Sequence, residues 1–380
     1  MKRSRRGAVS PFIVMDIMEA AAARERQGAH VIHMEVGQPS TPAPEIVREA
    51  AAKAVRDERL GYTVAAGIPA LREAIAGWYA ARYGRAVDPA RVFVTTGSST
   101  GFSLAFLAAF DAGDRVAMAL PGYPAYRNIM AALGLDVVFI ETDISTGYQP
   151  TKEHLDALDR PVDGLVLASP ANPTGSMVGR QAFEELVAVC QARGIRLISD
   201  EIYHGIEYGE PAASAAPLSD KAIVINSFSK YFSMTGWRIG WMIVPPDLAR
   251  SVECLAQNMY ISAPSPSQVA ALAAFEATEE LDRNLAVYRA NRDLLVADLP
   301  GAGFATLAPA DGAFYIYADI SDRTTDSAEF CSRMLNEAGV AATPGSDFDP
   351  VRGHQFVRFS YAGSTEEMRE AVKRLAAWNR

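Results

Sequence analysis

Apolar and polar positions follow two periods through the middle of the chain. Short, nearly unbroken aliphatic or β-branched runs, RVFVTT (91–96), RVAMAL (115–120), DVVFIE (136–141), GLVLAS (164–169), RLISD (196–200), AIVIN (222–226) and IGWMIV (239–244), predict strands. Between them lie Ala-rich segments with apolar residues every three or four positions, such as STGFSLAFLAAF and GRQAFEELVAVCQARG, and these predict helices. Strands apolar on both faces and separated by helices imply a mainly parallel sheet covered on both sides, a three-layer α/β fold.

Beyond about residue 246 the pattern changes. A long helical stretch, PDLARSVECLAQNMY, leads through the Pro-rich SAPSPS to a second one over 270–298. The tail then carries the strand candidates GAFYIYADI, GVAATPG and FVRFSYAG with helices between them. This predicts a smaller α+β domain from residues 1–44 and 281–380, packed on a large domain of residues 45–280.

Composition narrows the class. The 380 residues are 49% hydrophobic and 21% charged, enough for a large core. The net charge of −9 is spread without long blocks, which argues against a nucleic-acid surface. The one basic cluster, MKRSRR, is followed by charges soon after a short apolar patch, so the start is expected to be a mature N-terminus. No run approaches the roughly 20 apolar residues of a membrane span. Cys190, Cys254 and Cys331 are odd in number and far apart, which suits neither a disulfide framework nor a zinc knuckle and predicts a cytoplasmic protein. His30 and His33 lack a ligand partner at metal spacing, so no metal is expected.

Unusual polar turns follow the strand runs. RVFVTT leads into Gly97, Ser98 and Ser99; RVAMAL into Tyr123; GLVLAS into Asn172; RLISD ends at Asp200, with Tyr203 beyond; AIVIN leads into Ser227, Ser229 and Lys230. In an open α/β sheet ligands bind outside the carboxyl ends of the strands, so these turns converge on one rim. Gly97, Ser98 and Ser99 precede a helix and can hold an anion at its N-terminus. Ser227, Ser229 and Arg238 add hydroxyls and a planar cation suited to phosphate oxygens. Tyr123 offers a flat face to a ring, Asp200 a carboxylate and Tyr203 a phenol. Lys230, crowded by cations in a partly dry site, should have a lowered pKa and be nucleophilic. A phosphate, a stacked ring, a carboxylate partner and an amine together describe pyridoxal 5'-phosphate held by a lysine.

With EVGQPSTPAP, GYTVAAGIPALREAIAGWYAARYG, ANPTG, SFSKYFSMTGWRIGW and FVRFSYA, the chain resembles, across nearly its whole length, the class I/II pyridoxal-phosphate-dependent aminotransferases of the aspartate aminotransferase fold, fold type I. The resemblance implies Lys230 as the Schiff-base lysine and proton carrier, Asp200 as partner of the pyridinium nitrogen, and Tyr203 and Asn172 on the ring hydroxyl. Tyr123 is implied to stack on the ring, and Gly97, Ser98, Ser99, Ser227, Ser229 and Arg238 to hold the phosphate. Gly37, Asn172 and Arg358 match the positions that grip the substrate α-carboxylate. Tyr62 resembles the tyrosine that reaches the neighbouring subunit's phosphate, which implies a homodimer.

The reaction implied is amino transfer between an α-amino acid and a 2-oxo acid. SPFIVM and AQNMYISAPSPSQ carry no arginine for a second carboxylate, so neutral or aromatic donors are expected. A C–S β-lyase on the same fold stays open, because the electron sink is shared by both reactions. A nicotinamide oxidoreductase is disfavoured by the spacing in TTGSSTG, and a phosphate-loop NTPase by the lack of a closing Gly-Lys-Ser/Thr.

Overall fold

The computed structural model describes residues 1–378. Its strands are β1 (Ile32–His33), β2 (Val92–Thr95), β3 (Arg115–Leu120), β4 (Asp136–Glu141), β5 (Gly164–Ala168), β6 (Arg196–Asp200), β7 (Ile223–Ser227), β8 (Gly240–Ile243), β9 (Tyr315–Asp319), β10 (Val340–Ala341), β11 (Thr343–Pro344) and β12 (Phe356–Ser360). The first five α-helices are α1 (Ile13–Glu25), α2 (Glu45–Asp57), α3 (Pro69–Tyr83), α4 (Ser98–Ala109) and α5 (Pro124–Leu133), of which α1, α4 and α5 border the cavity.

The central sheet has the order β2-β8-β7-β6-β5-β3-β4. All its neighbours are parallel except β8, which runs against both β2 and β7. Every residue of β2, β7 and β8 is buried, as expected of strands covered on both faces. Trp241 of β8 is fully buried and packs against Phe228 and Trp78, with ring centroids 4.9 and 6.1 Å away. The reversal of β8 has a direct consequence for the site. The carboxyl ends of β2, β3, β5, β6 and β7 all reach one rim, and β8 begins there, so Arg238, just ahead of it, arrives at the same edge.

A second packing body joins the two ends of the chain. β1 pairs in parallel with β10, and β11, β12 and β9 form a three-stranded antiparallel sheet. Ile32 and Met34 share a core with Phe304, Phe314, Val340, Val357 and Phe359. The stretch GVAATPG forms two short strands in different sheets, because the chain crosses from β10 to β11 at Ala342. The run expected at 222–226 lies one residue later, at 223–227, so Ser227 belongs to the strand and not to the turn after it.

Candidate active site

At the rim, a cavity of about 550 Å³ is lined by Gly37, Ser98, Ser99, Tyr123, Asn172, Asp200, Tyr203, Ser229, Lys230, Arg238 and Arg358. These residues come from seven separate stretches of sequence. Gly97, Ser227 and Tyr62 do not line it.

Gly97 nonetheless shapes it. Its φ of +83° is on the side that favours glycine, and a Cβ there would sit 2.5 Å from Arg238 Nη2. Glycine therefore allows the guanidinium to lie against the start of α4, whose first turn has no side-chain cap. Uncapped N–H groups, the hydroxyls of Ser98 and Ser99, and Arg238 form an anion cradle. Arg238 is fixed by its Nη1, which donates to the Thr235 carbonyl at 2.9 Å. Ser227 is turned inward: its hydroxyl contacts the Ile239 carbonyl at 3.1 Å and Ser229 Oγ at 2.8 Å. It orients Ser229 and has no face on the cavity, a consequence of lying within β7.

Lys230 Nζ donates to the Gly37 carbonyl at 2.5 Å. Desolvation, then the nearby Arg358 and Arg238, bring its pKa down to about 8. Gly37 tolerates no side chain, since a Cβ would fall 1.8 Å from Tyr315 Oη. Asp200, at the end of β6, is buried; Oδ1 accepts the Ile202 N–H at 3.1 Å and Oδ2 accepts the Tyr126 hydroxyl. Burial raises its pKa to about 6. Both of those hydrogen-bond donors are neutral, so the carboxylate is set up for a cationic partner supplied from the cavity.

Arg358 of β12 is only 3% exposed. Nη1 donates to Asn172 Oδ1 at 2.9 Å, and Nη2 donates to Thr343 Oγ1 at 3.1 Å and to the Glu35 carbonyl. Its guanidinium lies 4.4 Å from the ring centre of Tyr315 and 4.7 Å from that of Phe348. Among the described residues no carboxylate is within ion-pair distance of it, and Nε is buried without a partner. A buried cation in that state is a receptor for one anion. Tyr203 and Tyr315 share a hydroxyl–hydroxyl contact of 2.7 Å beside it. Tyr62 stands apart, 85% exposed.

One part of the wall is apolar. Phe12, Val14, Met15 and Met18, at the start of α1, line the cavity with Val36 and Ile202. Phe12 meets the Tyr123 ring edge-on at 5.8 Å. Tyr126 and Tyr315 were not anticipated from sequence. Tyr126 could have been, because it lies three residues after Tyr123 at the start of a helix, where both point the same way. His204 is a buried core residue: Nε2 donates to the Ser169 carbonyl at 2.9 Å, Nδ1 accepts from Tyr83 at 2.5 Å, and burial lowers its pKa to about 3.

The family model for aminotransferase class I and II matches residues 29–375. The valine–pyruvate aminotransferase of Mycobacterium tuberculosis is 53% identical over 377 residues, 98% of this chain and 97% of that protein. The aspartate/prephenate aminotransferase of Thermus thermophilus is 33% identical, covering 97% of this chain and 96% of its own. Among solved structures, an aminotransferase from Mycobacterium tuberculosis superposes with a TM-score of 0.98 at 52% identity, covering 100% of this chain and 99% of that one. The aspartate aminotransferase from Thermus thermophilus with maleate gives 0.93 at 32% identity, covering 99% of both chains.

Proposed function

This chain belongs to the class I and II aminotransferases, enzymes that transfer an amino group between an amino acid and a 2-oxo acid, and we propose how its own residues divide that work. The family implies pyridoxal phosphate, and the cavity suits it: an uncapped helix start beside Arg238, a buried carboxylate lacking a contacting cation, and an amine with a lowered pKa. When bound, the cofactor supplies a carbonyl carbon open to amines and a ring that accepts the electrons of the substrate Cα.

Lys230 would be the covalent anchor of the cofactor and, as a free amine, the base that takes up the substrate Cα proton and gives it back. A pKa near 8 leaves an appreciable fraction of the amine neutral at physiological pH. Asp200 would keep the ring nitrogen protonated; for two unit charges in hydrogen-bond range at an effective dielectric near 20 such an attraction is about 4 kcal/mol. Tyr203 and Asn172 would hold the ring hydroxyl, and Tyr123 would cover the ring face. Ser98, Ser99, Ser229, Arg238 and the first turn of α4 take the phosphate, with Gly97 permitting the approach and Ser227 orienting Ser229. Arg358, braced by Asn172, binds the substrate α-carboxylate beside Gly37. The exposed Tyr62 completes the site of a second copy in a homodimer.

One observation carries the substrate reading. The lining cations are Lys230, Arg238 and Arg358, and once the first two serve the cofactor only Arg358 remains, in a cavity it shares with an apolar wall. That suits a neutral amino acid with an aliphatic or aromatic side chain. The M. tuberculosis relative, a valine–pyruvate aminotransferase by name, agrees with that choice and suggests pyruvate as acceptor. No described helix is long and apolar enough to cross a membrane. Two buried free thiols, Cys190 and Cys331, suit a reducing cytoplasm.

The test is a panel of amino acids, followed by the cofactor spectrum and by identification of products. Conversion to the pyridoxamine form with release of the matching 2-oxo acid from valine, leucine or phenylalanine, and not from aspartate, is the expected result. Thiol, ammonia and pyruvate from cysteine conjugates, without change of cofactor form, would establish a C–S lyase instead.

A further inference from the structure

We propose that Asp347 caps helix α1 from the far end of the chain and thereby positions the apolar wall that reads the amino-acid side chain. This rests on the reading above, in which Arg358 fixes the α-carboxylate and the wall faces the side chain.

Helix α1 begins without a cap of its own. The N-cap position is Phe12, which has no side-chain acceptor for the free N–H groups of the first turn. Asp347 supplies one: its Oδ1 accepts the Ile13 N–H at 3.3 Å, and the Val14 N–H faces the same carboxylate. A negative group at a helix start is also favoured by the helix dipole. Asp347 is 1% exposed and its Oδ2 has no hydrogen-bond partner, so the α1 backbone supplies the hydrogen bonds its carboxylate has. Burial raises its pKa, and the Ile13 and Val14 N–H groups, Arg358 and Arg127 oppose that rise.

The cap matters because the helix is lightly held. Only Val14 and Ala21 of α1 are buried, and Val14, Met15 and Met18 line the cavity, with Phe12 just ahead of them. Methionine side chains adapt easily, so a small tilt of α1 would change the space they enclose. Asp347 is itself anchored, because its carbonyl accepts Arg127 Nη2 at 2.6 Å. The next residue, Phe348, lies against the Arg358 guanidinium at 4.7 Å. A single turn, Gly345–Asp347, thus carries the cap of the wall helix beside the platform of the carboxylate grip. It sets the distance between the two ends of the substrate. Asp347 is a positioning residue and touches neither substrate nor cofactor.

The experiment compares alanine with leucine and phenylalanine as donors for the holoenzyme, Asp347→Ala and Asp347→Asn. Alanine scarcely reaches the wall, whereas the larger donors depend on it. Asp347→Ala should raise KM for leucine and phenylalanine about tenfold, leaving KM for alanine within about twofold and kcat little changed for all three. Asp347→Asn keeps the acceptor oxygen and should restore most of the selectivity. Ile13→Pro gives an independent route: it removes the donor N–H at the first helical position, where proline fits, and leaves the turn untouched. It should reproduce the selective rise in KM, and it decides the question if Asp347→Ala does not fold. Donor ratios unchanged within about twofold, or an equal loss for every donor, overturn the proposal. If the unmodified enzyme converts none of the neutral donors, the substrate reading fails, an outcome separate from failure of the cap.

Discussion

The Tyr126 hydroxyl donates to Asp200 Oδ2 across 74 residues of chain, both side chains buried at the floor of the cavity that Tyr123 also lines. The bond helps keep a carboxylate ionised that burial has raised to about 6. Tyr126→Phe leaves Asp200 only the Ile202 N–H. A hydrogen bond to a charged group is worth about 1.5–3 kcal/mol, so the single-turnover half-reaction with an amino acid should slow by about one to two decades. Asp200→Asn removes the charge and should slow it by about three decades with cofactor still bound. The Tyr126→Phe deficit should widen as pH falls from 8 toward 6, where the unsupported carboxylate takes up a proton. A deficit independent of pH would mean that Tyr126 only fills space.

How much of this could be read from the sequence follows from where each residue sits. Lys230, Asp200, Asn172 and Ser98 lie at or just past the ends of runs apolar on both faces, so recognising the runs also located the rim. Ser227 fell on the other side of that line by one residue, because a strand boundary is set by hydrogen bonding that the apolar pattern marks only approximately. The reversed direction of β8 was not legible, since a four-residue apolar strand can pair either way. Tyr126 and Tyr315 were missed for a different reason: an aromatic within a regular element reads as core, and their contacts with Asp200 and Tyr203 span 74 and 112 residues. The bond from Ile13 to Asp347 spans 334 residues and leaves no local trace.

Lys230 should show its lowered pKa while the cofactor is being captured. Only the neutral amine attacks a carbonyl, so the rate at which apoprotein takes up pyridoxal phosphate should climb from pH 7 to about 9, with a midpoint near 8. Arg358 is among the causes of the shift, so Arg358→Leu should move the midpoint to higher pH. Stopped-flow absorbance gives both profiles. A midpoint above 10, or one that ignores Arg358, would remove the basis for calling Lys230 activated.

Tyr62 is 85% exposed on a single chain and does not line its own cavity, in keeping with a role in a partner's site. Tyr62→Ala and Lys230→Ala homodimers should both be impaired, the second almost completely. Mixed dimers would place both lesions in one site and neither in the other, so subunit exchange should restore about a quarter of the unmodified activity. Verified heterodimers that stay as inactive as their parents would restrict Tyr62 to its own subunit.

His33 ties the end of α1 to the segment just after β1 that braces Arg358. Its Nδ1 meets Glu35 Oε1 at 2.8 Å and its Nε2 meets Glu25 Oε1 at 3.1 Å, while the Glu35 carbonyl accepts from Arg358. The hydrogen bond to Glu35 is the largest cause of a pKa raised to about 9, against partial desolvation, with Glu25 contributing less. A histidine whose folded pKa exceeds its unfolded value of about 6.5 binds its proton more tightly when folded. Its stabilisation is therefore complete below about pH 6.5 and disappears as pH rises through about 9. Since the ring is 43% exposed, solvent screens the pair and the effect is modest. Thermal melts of the holoenzyme and of His33→Gln from pH 6 to 9.5 should show the unmodified protein more stable at the acid end, with the gap closing toward pH 9. A gap that stays constant across that range would mean the imidazole contributes by packing alone and carries no proton-linked stability.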